Sequence, residues 1–298
     1  MDLRRLRYLV AVADEGHITR AAERLGIQQP PLTRQIQLLE AEVGAQLLYR
    51  HARGVSLTEA GAAVVADARG LIAAAERIGE TARRAARGEQ GRLAVGYTSS
   101  AAFHPFVFRQ VNAFRRAWPG VQLALEEDST VELMRALAEE RLDAAFIRTL
   151  GGNPAGLLVE PLADEAMLAA LPPEHRFSLR DDCDLAELAN ETFVFYRRPA
   201  GQGLYDAIIA ACHAAGFSPQ IAQEAPRLPA TLSLVAAGLG ISIVPASMRR
   251  MSMEGVTFLR LTGAPGLVAP LMLATRRSRR SPVIERFRQA VLQGAAEA

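Results

Sequence analysis

Between positions 3 and 13, apolar side chains recur at helical spacing (Leu3, Leu6, Tyr8, Leu9, Val12, Ala13), which turns one face of a first helix toward a core. Residues 17–25 form a second helix, Gly26 tolerates the positive φ of a tight turn, and Gln28-Gln29-Pro30-Pro31 opens a third helix that runs to about Val43. Prolines fit that helix only in its first turn, where a missing N–H would have had no intrahelical acceptor. Ala21, Ala22 and Gly26 suit a close helix crossing, while Leu25, Ile27, Leu32, Ile36 and Leu39 make the apolar faces. The pattern is helix, tight turn, helix. Leu47-Leu48-Tyr49-Arg50 and Arg53-Gly54-Val55-Ser56-Leu57 then read as a short two-stranded wing.

From Thr58, a plausible cap, an alanine-rich helix runs to Arg87 and stops at Gly88. Val64, Leu71, Ile78 and Ala85 recur every seven residues, interleaved with Ala68, Ala75 and Ala82, which makes a heptad seam. Such a helix could pack on its own C-terminal part, but a seam of alanines suits the close approach of two helices, so homodimerisation through 59–88 is expected. Beyond Gly91 strands and helices alternate: strands over 93–97, 121–125 and 144–147, helices over 101–116 and up to 137. A second set follows, with strands over 166–171, 193–195, 221–223 and 241–244 and helices over 204–215 and 230–237. A strand at 271–274 and a helix near 283–292 return to the first set. This is an α/β arrangement with parallel strands in two lobes.

Composition narrows the class. Half of the 298 residues are apolar, enough for two or three real cores. No apolar run reaches the roughly 18 residues of a membrane-spanning helix, and the charged start 1–7 is unlike a secretory signal, so a cytoplasmic protein is expected. Residues 1–88 carry 13 Arg and 10 acids (+3) and the rest 21 Arg and 22 acids (−1), which together give the net +2. The bias is mild, as suits placed phosphate contacts rather than a polybasic tail. Cys183 and Cys212 lie far apart with no ligand-spaced partner, so no disulfide framework, zinc site or cofactor is expected. They read as buried structural thiols, with a redox-sensing regulator as the alternative function.

The polar face of the third helix offers Gln28, Gln29, Pro30, Pro31, Thr33, Arg34 and Gln37; Arg20 lies on the helix before it, and Arg50 and Arg53 on the wing. Amide and guanidinium groups of this kind bond base edges and phosphates, although taken singly each also fits a solvated face. In the C-terminal half, ligands of open α/β sheets lie beyond the carboxyl ends of strands. Thr98-Ser99-Ser100 and Ser129-Thr130 open helices there, the latter with Glu132 at capping-box spacing, and suit either capping alone or a bound carboxylate. Arg148, just past a strand, pairs either with a ligand carboxylate or with the other lobe. Pro199 and Leu204 in the glycine-bearing stretch 198–204, and Thr231 after Pro229, complete the candidates. His104, His175, His213, Ser99 and the acidic run Glu126-Glu127-Asp128 form no recognised catalytic motif, so no enzyme is expected.

The order A-A-E-R-L-G (21–26), Q-Q-P-P-L-T-R-Q-I-Q-L-L-E (28–40), L-L-Y-R (47–50) and L-T-E-A-G (57–61) resembles the DNA-binding domain of LysR-type transcriptional regulators. It departs from the family's usual Ser-Gln-Pro-Ala at Gln28-Gln29-Pro30-Pro31, and Tyr49 replaces a usual Phe; both departures bear on base preference. The resemblance implies a winged helix-turn-helix (1–58), a linker helix (59–88) and a periplasmic-binding-protein-like effector domain (89–298), with lobe I about 89–161 and 268–298 and lobe II about 162–267. It also implies double-stranded DNA with a partly palindromic operator, a small-molecule effector, a homodimer or homotetramer, and RNA polymerase as a further partner. Ser99 and Ser129 fall on positions that line the effector cleft in members responding to aromatic-pathway acids.

Overall fold

The computed structural model describes residues 1–152, 154–197, 203–278 and 281–297. They form two compact units, Met1–Arg84 and Ala85–Ala298.

The first unit is built from α1 (Leu3–Glu15), α2 (Ile18–Leu25), α3 (Gln29–Val43), the antiparallel pair β1 (Leu48–His51) and β2 (Gly54–Leu57), and most of α4 (Glu59–Ala86). Each of the first three helices ends on a left-handed glycine, namely Gly16, Gly26 and Gly44, whose N–H closes onto the last turn. Leu6, Leu9, Val12, Ala21, Ala22, Leu32, Ile36 and Leu39 form the core that the helical spacing predicts. The wing is anchored at both ends. Glu40 Oε1 accepts from the Leu47 and Leu48 N–H groups, and Val55 N donates to Gly16 O at 2.9 Å. Gly54, at φ +138°, lies so close to the α1–α2 turn that a Cβ there would stand 2.3 Å from Gly16 O.

Thr58 caps α4, its Oγ1 accepting from Gly61 N and donating to Gln46 O. Gly61 is needed because a Cβ would lie 2.0 Å from Leu47 O. Beyond Ala68 the helix leaves the core: Leu71 is 52% exposed and Ile78 70%, so a single chain does not cover the heptad seam.

The second unit contains β3 (Gly91–Tyr97), α5 (Ser99–Ala102), α6 (Pro105–Ala117), β4 (Val121–Glu127), α7 (Thr130–Ala138), β5 (Ala144–Ile147), β6 (Leu157–Leu171), β7 (Asp182–Asp184), β8 (Thr192–Tyr196), α8 (Leu204–Ala214), β9 (Gln220–Ala225), α9 (Leu228–Ala236), β10 (Ser242–Pro245), β11 (Thr257–Thr262), β12 (Val268–Arg276) and α10 (Pro282–Ala296). Strand order is β4-β3-β5-β12-β6-β11-β7, with β10 also on β6; β8 and β9 pair separately. One lobe centres on Leu93, Val95, Phe114, Phe146, Leu273 and Phe287, the other on Phe193, Phe195, Ile208, Ile243 and Leu259.

Four expectations need correction. The helix expected over 101–116 is broken in two, because Pro105 has no N–H to continue a helix and His104 instead caps α6 through Nδ1, which accepts from Phe106 N. The strand expected from 166 begins at Leu157: residues 157–166 pair with β12, and residues 167–171 with β10 and β11. The strands are not all parallel, since β12 runs antiparallel to β5 and β6, while β3 is parallel to β4 and β5. Strands β7 and β11 were not anticipated. Among the described residues no helix is long and apolar enough to cross a membrane, and no group of side chains could hold a metal ion.

Candidate functional site

On the first unit, burial of Leu32, Ile36 and Leu39 turns the opposite side of α3 outward. Gln28, Gln29, Pro30, Pro31, Arg34 and Gln37 are exposed there and Thr33 is half-buried. Pro30, Pro31, Arg34, Gln35 and Leu38 line a shallow groove, and Leu38 remains 41% exposed. On the wing, Arg50 projects from β1 and Arg53 sits in the turn, both exposed. Arg20 differs, because its guanidinium donates to Glu15 O at 2.7 Å and is thereby drawn toward the end of α1. Gln29 Oε1 accepts from the Thr19 hydroxyl, which ties the first residue of α3 to α2.

On the second unit a cavity of about 690 Å³ opens where β3, β5 and β8 end, as an α/β topology directs. One wall is hydroxylic: Thr98, Ser99, Ser100, Ser129 and Thr130. Thr98 caps α5 by accepting from Ala101 N, and Ser129 caps α7 by accepting from Glu132 N at 3.3 Å. Thr130 Oγ1 donates to Arg148 O. The Ser99 hydroxyl is committed to no hydrogen bond among the described residues. Val131, Met134, Tyr196, Leu204 and Leu228 complete an apolar floor. Burial, the largest influence, raises the Tyr196 phenol above its ordinary value, and its ring meets Tyr205 edge-on.

Arg148 reaches the cavity but is only 3% exposed. Its Nε donates to Ser100 Oγ (3.1 Å), Nη1 to Ala269 O (2.8 Å) and Nη2 to Glu165 Oε2 (2.5 Å). Glu165 Oε1 also accepts from Ser247 N, in the helical turn that follows β10. Of the two roles open to Arg148, the geometry favours the bridge between lobes, since each of its three side-chain nitrogens already donates to a protein acceptor. Burial acts most strongly on the Arg148 guanidinium, lowering its pKa, and Glu165 opposes that effect. His104 nearby is likewise held below its ordinary value, chiefly by burial.

Two further candidates change. Thr231 does not line the cavity: α9 begins at Leu228, capped by Arg227, so Thr231 lies inside the helix, fully buried, with Oγ1 donating to Leu228 O. Pro199 lies outside the described residues. The structure adds Asp128, Thr149, Tyr196, Arg197 and Arg227 to the lining, which sequence reasoning missed. Arg227 Nη1 meets Glu127 Oε1 at 2.5 Å beside the cavity. The strand-end rule that singled out Ser99 and Arg148 also points to Arg197, the residue after β8, once that strand is extended to Tyr196.

Cys183 and Cys212 are 1% and 0% exposed, and burial pushes both thiols up to about 11. That is the reverse of an accessible thiolate, so the redox-sensing alternative finds no support.

Comparison with known proteins agrees with this division of labour. The family described as bacterial regulatory helix-turn-helix protein, lysR family, matches residues 3–62, and the LysR substrate binding domain matches residues 86–296. The HTH-type transcriptional regulator BudR of Raoultella terrigena is 39% identical over 96% of this chain and 99% of its own. The regulator TfdS of Cupriavidus pinatubonensis is 35% identical over 100% of both chains. The crystal structure of full-length CbnR complexed with its target DNA matches at a TM-score of 0.86 and 32% identity, covering 99% of this chain and 100% of that one.

Proposed function

The chain belongs to the LysR family of DNA-binding transcriptional regulators with an effector-binding domain, and from that premise we propose that its 690 Å³ cavity takes a small carboxylate or aromatic acid. The observation that carries this reading is the hydroxylic wall, in which Ser99 and Ser129 face an apolar floor at the strand ends. Such a wall can hydrogen-bond a carboxylate while the floor covers the hydrocarbon. Arg34 and Gln37 on α3, with Arg50 and Arg53 on the wing, contact bases and phosphates of the operator. The exposed seam at Leu71 and Ile78 is covered by the same helix of a second chain, so paired heads read a partly palindromic site. The protein works in the cytoplasm, where that DNA is.

A ligand that favours one arrangement of the lobes over another shifts the spacing of the heads only by its differential affinity for the two. The test is calorimetric titration of the full-length protein with benzoate and succinate, alongside Ser99→Ala and Met134→Trp. Binding by the wild type, weakened by Ser99→Ala and abolished by the bulky Met134→Trp without loss of operator affinity, is the expected result. Unchanged dissociation constants in both variants would show that the ligand sits elsewhere.

A further inference from the structure

Three arginines line the cavity, and they are not equivalent. Arg148 is sealed against Glu165, Ser100 Oγ and Ala269 O. Arg227 is held by Glu127 at 2.5 Å, with Asp128 at 4.0 Å. Arg197 is exposed and has no acidic partner among the described residues. The acid that lines the cavity, Asp128, is already engaged, since its Oδ1 accepts from Ser129 N at 2.7 Å and lies beside Arg227. Pairing Arg148 with Glu165 and Arg227 with Glu127 therefore leaves Arg197 as the wall's uncompensated cation among the described residues.

Its backbone is well placed for the task. Arg197 N donates to Ala225 O at 2.8 Å, directly after the Tyr196–Ala225 pairing that ends β8 on β9. The Cα is thus held by the sheet, while a long side chain carries the charge. The guanidinium offers five donors, a fixed charge and a planar fork matched to carboxylate, whereas Ser99 and Ser129 are neutral hydroxyls that also serve neutral ligands.

We propose that Arg197 is the specificity-determining residue that makes the cavity select anionic over neutral ligands, with the hydroxylic wall positioning the rest of the molecule. This rests on the reading of the cavity as the effector site. The charge therefore comes from the lobe opposite the serines, and a single carboxylate-bearing ligand engages both lobes at once.

The experiment compares acids with amides of the same shape, benzoate against benzamide and succinate against succinamide, by calorimetric titration of the full-length protein. The wild type should bind at least one acid about tenfold more tightly than its amide, as a charge-assisted hydrogen bond provides. In Arg197→Gln that ratio should fall to within about twofold, whereas Arg197→Lys should keep most of it. The melting temperature without ligand should not move, because the side chain is exposed and holds no acidic partner among the described residues. Two results overturn the proposal: an acid preference that survives in Arg197→Gln, or no acid preference by the wild type in either pair. Met134→Trp separates the two levels of inference. If it abolishes binding while Arg197→Gln keeps the preference, only the role of Arg197 is wrong; if acids still bind to Met134→Trp unchanged, the cavity reading fails with it.

Discussion

Replacing Arg148 by Met removes a buried cation of comparable length and leaves its partners in place. Glu165, 8% exposed, then keeps Ser247 N as its remaining donor, while Ser100 Oγ and Ala269 O lose theirs. Breaking a buried ion pair from one side costs about 3–5 kcal/mol, because the surviving charge is left without compensation. Adding Glu165→Leu removes that charge, so the double variant should recover most of the loss. Urea unfolding followed by Trp118, the single tryptophan, over which the Arg286 guanidinium stacks at 4.0 Å, reports on this unit. A single variant within about 1 kcal/mol of wild type, or a double variant no more stable than the single, would refute the reasoning.

Arg34→Ala should weaken operator binding by about 1–3 kcal/mol in a mobility-shift titration, with the dimer intact. Leu71→Asp combined with Ile78→Asp places charge on the exposed seam and should shift sedimentation toward monomer while each head stays folded. Gly61→Ala drives a Cβ to 2.0 Å from Leu47 O and should cost about 1–3 kcal/mol of winged-domain stability, seen as a lower melting temperature. With both thiols at about 11, a thiol reagent at pH 8 should label Cys183 and Cys212 only after unfolding. Stability should likewise decline as pH rises past the ordinary thiol value of 9.0 toward 11, because the unfolded chain gives up those protons first.

Local chemistry made the first unit readable. Glycine stops, prolines confined to a first turn and the 3.6-residue recurrence of Leu32, Ile36 and Leu39 each act over a few residues, and all point the same way. In the second unit the strand-end rule led to Ser99, Ser100, Ser129 and Thr130, and the glycine-bearing stretch to Leu204, which the structure gathers around one cavity. Long-range pairing was less legible. The antiparallel course of β12 depends on partners more than a hundred residues away, and β7 spans only three residues, too few to show a period. For Arg148 the sequence left a ligand and the other lobe equally open, because Glu165, its partner, sits in the middle of a strand and no spacing rule links the two. Thr231 was misplaced by two residues of helix: Pro229 lies inside the first turn of α9 rather than before it.

The path of the chain through β6 and β12 also bears on the order in which the protein can fold during synthesis. The first lobe begins at β3, yet its sheet needs β12, and its core needs Val283, Ile284, Phe287 and Val291 from α10. More than a hundred residues, including nearly all of the other lobe, leave the ribosome before those partners appear. The winged unit meets no such delay, because its core is drawn from residues 6–68. A nascent chain halted before β12 therefore carries a finished DNA-binding head joined to an unfinished sensor whose β5 edge and Phe146 still lack their partners. Chaperone engagement should concentrate on that interval.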